Sequence, residues 1–194
     1  MYPNIEINHG MQRLPIYAHV FLNSYAFLPR CDNTARAMAD LEYNALMVYW
    51  QQAGWPNWLS WPNRIVCWGH LALPNGQRAR SIWCESSNRS AIRQTSCVEV
   101  SLIEYNGKMH IANVSYYFYL LFDNLQYPNA VINLFSLPDV TLLTHSSQTV
   151  YLCNPLEGEE AIRVVPITSI KSVVSMFPDL KVTREGELVD TQKF

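Results

Sequence analysis

Charge is scarce in this chain: Asp, Glu, Lys and Arg together supply 15% of 194 residues, and the net charge is only −2. A balance so near neutrality excludes a protein drawn to nucleic acid by its overall field. Glycine is scarce too, with seven in all, and none cluster into a phosphate cradle of the G-x-G-x-x-G or G-x-x-x-x-G-K-[ST] type. G-x-S-x-G and H-E-x-x-H are also missing. The five histidines (His9, His19, His70, His110, His145) are dispersed. The five cysteines (Cys31, Cys67, Cys84, Cys97, Cys153) are scattered and form no C-x-x-C. No zinc site, other metal or cofactor is therefore expected, and the odd set reads as free thiols in a reducing, intracellular compartment. The longest apolar stretch, Val114 to Phe122, is broken by Ser115 and far too short to span a bilayer, so no membrane partner is expected. The opening MYPNIEINHGMQRLP has no basic segment followed by an apolar run and reads without a signal peptide.

What the chain has is apolar and aromatic. Hydrophobic residues make up 49% and aromatics 12%, with six Trp and eleven Tyr. Such a composition excludes disorder and suits one domain with a substantial core. Rings in that number serve a core or a surface that meets a partner. The division expected is a helical, Trp-rich lead-in over residues 1–63, packed on a β domain over residues 64–194.

In the lead-in, one strand is predicted at Ile16–Leu22. A helix follows, capped by Asp32 or Asn33 and ended by Gly54, with a packing stripe of Met38, Leu41, Ala45, Val48, Tyr49 and Gln52. The segment GWPNWLSWPN (54–63) holds two prolines and three tryptophans, which exclude helix and central strand. Trp55, Trp58 and Trp61 either cap one end of the β domain or form an aromatic interaction surface.

From Arg64 onward the signals are β. Asn75-Gly76 predicts a hairpin in which facing residues sum to 151, setting Trp68 against Trp83 and Cys67 against Cys84. Asn106-Gly107 predicts a second hairpin, with sums of 213, setting Cys97 against Tyr116 and Val100 against Asn113. Its return strand, HIANVSYYFYLLF, is the candidate central strand. Further strands are predicted at Ala130–Phe135, Thr149–Cys153, Ile162–Val165 and Ser169–Met176, with a last hairpin over Lys181–Val189 around Glu185-Gly186. In the strand from Ser169, alternation places Ile170 and Val174 in the core, against the Tyr-rich strand. The fold class is mainly β, a barrel or sandwich with one N-terminal α-helix.

Candidate sites are few. Asp139, His145, Ser146 and Ser147 could be drawn as a triad, but polar loops assemble such groups often, and no catalytic residue is assigned. Between Arg64 and Arg93 stand Arg64, Arg78, Arg80, Arg89 and Arg93 against Glu85 alone, five minus one, a local charge of +4. That hairpin reads either as an ordinary solvated face or as a nucleic-acid-binding one, the latter weak because the whole chain is slightly acidic.

The runs LPNGQRARS (73–81), TSCVEVSL (95–102) and LFSLPD…SSQTVYLC…VVPITSIKSVVSMFP (134–178) resemble an uncharacterised family abundant in mushroom-forming fungi, with copies among proteins linked to KDZ-type DNA transposons. The resemblance covers most of residues 14–178. The last block is also similar in layout to a BAH (bromo-adjacent homology) domain, a chromatin-reading β module. Phe135-Ser-Leu-Pro138-Asp139 and Val165-Pro166-Ile167-Thr-Ser-Ile170-Lys-Ser-Val173-Val174 occupy the corresponding places. Where such domains often carry a cage tryptophan this chain has Leu134, and Leu137 replaces the turn arginine. A methyl-lysine cage would need other rings, such as Tyr116, Phe118 or Tyr151. The resemblance implies a BAH-like, non-enzymatic, nuclear interaction module with a protein or chromatin partner.

Overall fold

The structure is a computed structural model that describes residues 14–21, 24–32, 34–54, 63–85, 96–102, 107–147, 149, 151–176, 180–182 and 188–190. The expected turns at Asn106 and Glu185-Gly186 and the three tryptophans of the 54–63 segment lie outside the described residues. The chain is mainly β. Among the described residues its principal sheet has nine strands: β1 His19–Val20, β2 Ala26–Cys31, β5 Trp68–Ala72, β6 Arg78–Arg80, β7 Cys97–Ser101, β8 Met109–Phe122, β9 Leu125–Leu134, β10 Ile162–Pro166 and β11 Ile170–Val173. Two small pairs stand apart, β3 Arg36–Ala37 with β4 Arg64–Ile65, and β12 Leu180–Val182 with β13 Leu188–Asp190. Every strand pairing among the described residues is antiparallel. No helix among the described residues is long and apolar enough to cross a membrane.

The Tyr-rich strand is central, as expected. β8 pairs along one edge with β9 and along the other with β7 and, at Tyr117, with β5. A bulge at Ser115 shifts its register to β9, from Val114↔Ile132 to Tyr116↔Val131. Since alternate side chains point to opposite faces, one extra residue exchanges the faces for the rest of the strand. Ala112 and Val114 before the bulge, and Tyr117 after it, enter one core with Phe27, Leu71, Val98, Val100, Ile132 and Ile170. Tyr116, Phe118 and Leu120 point the other way, into a second core with Met38, Leu46, Trp50, Ile65 and Val131. The Ser115 hydroxyl accepts a hydrogen bond from Asn133 Nδ2 at 2.8 Å, tying the bulge to β9. At the far end, Asp123 and Asn124 both take positive φ (49° and 58°) and close the β8–β9 hairpin, a two-residue turn suited to the twist of the strands.

The sheet curls over the first core without closing into a barrel. The β11 edge faces the β5–β6 turn, and the gap is bridged by side chains. Gln77 Oε1 accepts from Val173 N (2.9 Å), and Asn75 Nδ2 donates to Lys171 O (3.1 Å). Across the interior, the Tyr25 hydroxyl donates to Ile170 O at 2.9 Å.

Helix α1 (Asp40–Gln52) covers the second core. It begins later than expected because Arg36–Ala37 is drawn into the β3–β4 pair, and Asp32 is spent locally on Thr34 N. Its cap is Ala39, whose N–H is met by the Glu42 carboxylate at 3.0 Å. The same carboxylate accepts from the Tyr116 hydroxyl at 2.8 Å, and the Arg36 guanidinium lies over that ring, 4.1 Å from its centre. Gly54 follows the helix at φ +71°, as expected. Of the packing stripe, Met38, Ala45 and Tyr49 do pack on the second core, but Leu41, Val48 and Gln52 are exposed, and the buried helix residues are Leu46 and Trp50.

Both predicted hairpin registers are corrected. In β5–β6 facing residues sum to 150, as in His70↔Arg80. The loop is Pro74-Asn75-Gly76, with Leu73 and Gln77 bonded across it and Gly76 at φ +85°, so proline enters the turn and glycine takes its left-handed corner. The chain leaves the sheet at Ser81 and forms helix α2 (Ile82–Glu85). Trp83 therefore never faces Trp68, and the two indoles pack on different cores. In β7–β8 the sum is 210, which pairs Cys97 with Asn113 and Val100 with His110. Ile170 is fully buried, as expected, but opposite Val100 of β7 rather than the Tyr-rich strand. A bulge after it sends Val173 to the core side and leaves Val174 half-buried outside it. Described residues of the expected strand at 149–153 have no strand pairing. β10 forms where expected, and the last hairpin appears as β12–β13. None of the five cysteines is joined in a disulfide; Cys31 is exposed and the other four are buried.

Deleting Ser115 should abolish folding, because Tyr116, Phe118 and Leu120 would exchange places with Tyr117 and Tyr119. Ser115→Ala keeps the residue count and should cost only about 1 kcal/mol for the lost Asn133 bond. Urea unfolding of the two variants checks this, and equal midpoints would refute it.

Candidate functional site

Between β9 and β10 the chain makes an excursion whose ends are pinned together. Phe135 bridges Pro155, Ser136 N donates to Asn154 O (2.7 Å), Asn154 N donates to Ser136 Oγ (3.0 Å), and Asp139 N donates to Leu152 O (3.0 Å). Phe135 and Cys153 are buried beneath and anchor it. On this base stands a short helix absent from the sequence reading, α3 (Val140–His145), capped by Asp139 Oδ1, which accepts from Leu142 N at 2.9 Å. The signal available was Pro-Asp ahead of an apolar run, a helix start rather than only a turn.

This excursion forms one wall of an open groove of about 830 Å³. Leu137, Leu142 and Tyr151 line that wall, Met109 and His110 of β8 line the floor, and Val174 with Met176 close the opposite side. α3 contributes no buried residue. Leu137 is 65% exposed, Tyr151 50% and Met109 42%, so the groove is open and apolar. Uncovered apolar side chains lying side by side are the mark of a contact surface, whereas scattered ones are ordinary. Polar side chains also line it, Glu99 and His110 among them. Glu99 of β7 accepts from Ser172 Oγ at 2.9 Å, fixing its carboxylate at the groove wall. His110 is buried there, and burial, then Lys108, lowers its pKa below the ordinary histidine value, so it is neutral at pH 7.

The other predicted site residues fall elsewhere. Asp139 is committed to capping α3, Ser146 Oγ donates to Leu143 O (3.2 Å), and His145 stands exposed on the last turn. Tyr116 and Phe118 lie buried under α1, so neither ring can line an open cage; of the three rings named, Tyr151 alone faces the groove. The arginines divide. Arg64 donates to Ala35 O at 2.6 Å and belongs to the β3–β4 pair. Arg78 and Arg80 stand together on β6, and Arg89 and Arg93 lie outside the described residues. Among the described residues no group of three or more His, Cys, Asp or Glu side chains is placed to hold a metal ion. No family model, curated protein or solved structure matches the chain.

His110 and His70 share one consequence of burial. Both have folded pKa values lowered from 6.5, so the folded chain resists protonation more than the unfolded chain does. Their contribution to stability is complete above pH 6.5 and is lost as pH falls through the lower, folded values. The urea midpoint should therefore drop between pH 7 and pH 5, and His110→Asn with His70→Asn should flatten that dependence. An unchanged pH dependence in the double variant would contradict it.

Proposed function

We propose that this chain is a non-enzymatic, BAH-like interaction module that holds an extended protein segment in the groove between α3, β8 and the end of β11. The observation that carries this reading is the uncovered apolar surface of Leu137, Leu142, Tyr151 and Met109 around one cavity of about 830 Å³. A volume of that size accommodates several side chains of a bound segment. Among the described residues Glu99 is the only Asp, Glu, Lys or Arg on its lining, so a basic residue among apolar ones is the complementary sequence. The segments that suggested the family resemblance support the same reading. The LFSLPD run leads to the cap of α3, and the VVPITSIKSVVSMFP run supplies β10, β11 and the Val174–Met176 wall. In a transposon-linked, nuclear setting the segment bound would belong to a chromatin-associated protein.

Panning a displayed peptide library should enrich apolar sequences with one Lys or Arg, at micromolar affinity. Leu142→Asp and Tyr151→Ala should each weaken the selected peptides tenfold or more, and Glu99→Gln should remove the preference for the basic residue. Peptides that bind both groove variants as tightly as the parent would sink the proposal. A nucleosome-binding assay run beside it, with and without the selected peptide as competitor, reports whether the chromatin setting holds.

A further inference from the structure

A second surface lies on the outer side of β6 and the adjoining part of β5, beside a small third core in which Ala26, Leu28 and Ala72 are covered by Leu14 and Ala18. In the ladder His70 stands between Leu28 of β2 and Arg80 of β6, and Ala72 between Ala26 and Arg78. Ala79 is fully buried in the first core, so alternation turns Arg78 and Arg80 outward. Past Leu28 the β2 ladder is interrupted, and Arg30 takes φ +139°, a conformation that L side chains rarely adopt. Backbone held in such a region is a pointer to function when other features converge on it. Here they do. Pro29 O lies 3.3 Å from His70 Nδ1, which places Arg30 beside the histidine, and after burial, the largest cause, the charges of Arg80, Arg30 and Arg78 each lower the pKa of that imidazole. Two strands, β2 and β6, thus place three arginines around His70 of β5 on a chain whose net charge is −2.

The underlying scaffold is rigid. His70 Nε2 lies 3.2 Å from Cys84 Sγ of α2. That contact requires Gly69, because a Cβ there would stand 2.9 Å from Cys84 Cβ. Arg78 and Arg80 have no ion-pair partner among the described residues. They project from one face two residues apart, about 7 Å. That spacing serves successive phosphates along a chain, whereas a single phosphate monoester would call for donors converging on one point.

The geometry points to a polyphosphate-backbone contact: Arg30, Arg78 and Arg80 form a small, sequence-independent nucleic-acid surface, separate from the apolar groove. Arg30 joins the two arginines named from the sequence, and Arg64 leaves the set. With two to three phosphates engaged, binding is weak and steeply salt-dependent, with about 0.9 in log–log slope for each phosphate.

Fluorescence anisotropy of a labelled mixed-sequence 20-mer, double- and single-stranded, between 25 and 200 mM salt tests this. The expected result is micromolar binding at low salt with a slope of about 2–3. Arg78→Ala with Arg80→Ala should lower that slope by about two units, while Arg78→Lys with Arg80→Lys retains most of it and controls for folding. Arg163→Ala, which removes the same kind of charge away from the patch, should leave the slope unchanged. No binding at 25 mM salt overturns the proposal, as does a double-alanine variant with the parent slope. A singly phosphorylated peptide that binds as tightly as the 20-mer would replace the nucleic acid with a phosphoprotein.

Discussion

One residue in β8 holds the architecture together. A strand alternates its side chains with period two, and a fourteen-residue strand obeying that rule throughout would offer the same parity to the same face from end to end. Ser115 interrupts it. The curled sheet can then enclose Val114 and Tyr117 while α1 seats on Tyr116 and Phe118. The consequence spreads outward. With Tyr116 beneath α1, Glu42 can join its hydroxyl to the helix start, and Arg36 can lie over the ring. With Val114 inside, the first half of β8 is free to carry β7 and, beyond it, β11, the strand that leads to the groove.

The same constraint separates what was legible in the sequence from what was not. Element type was readable wherever composition and turn residues agreed: the Tyr-rich central strand, the helix ending at Gly54, β10 and the final hairpin. Register was not. An Asn-Gly pair marks a turn, but Pro74 enlarged the first loop by one residue, and the second loop proved three residues different from the simplest reading. Bulges leave no compositional trace, since Ser115 and Lys171 are unremarkable residues at their positions. This is why Ile170 could be placed in the core from the pattern while Val174, four residues later, could not. Asp123-Asn124 was not singled out from the sequence, although these side chains tolerate left-handed backbone more readily than most.

The candidate sites divide in a similar way. α3 is too short and too exposed to show a buried stripe, and its apolar residues face open space instead of a core. Periodicity methods look for burial and overlook such a helix; its capping aspartate was the legible part. For the basic surface the sequence supplied Arg78 and Arg80 but also Arg64, which is near in the chain and occupied elsewhere by a carbonyl. Arg30, remote in the chain, arrives through the pairing of β2 with β5. Charge density along a sequence is a poor proxy for charge density on a face.

The seam between β11 and the β5–β6 turn carries a mechanical consequence. Ladders elsewhere in the sheet are backbone to backbone, but here Gln77 and Asn75 stand in for a missing strand. Two amide side chains can rotate away without breaking a single ladder bond, so the curl is unzipped most easily along this line. Backbone breathing will start at Val173, where the protecting acceptor is a rotor. The β11 edge it bares is the one that runs on to Val174 and Met176, so a fluctuation at the seam widens the mouth of the groove from behind.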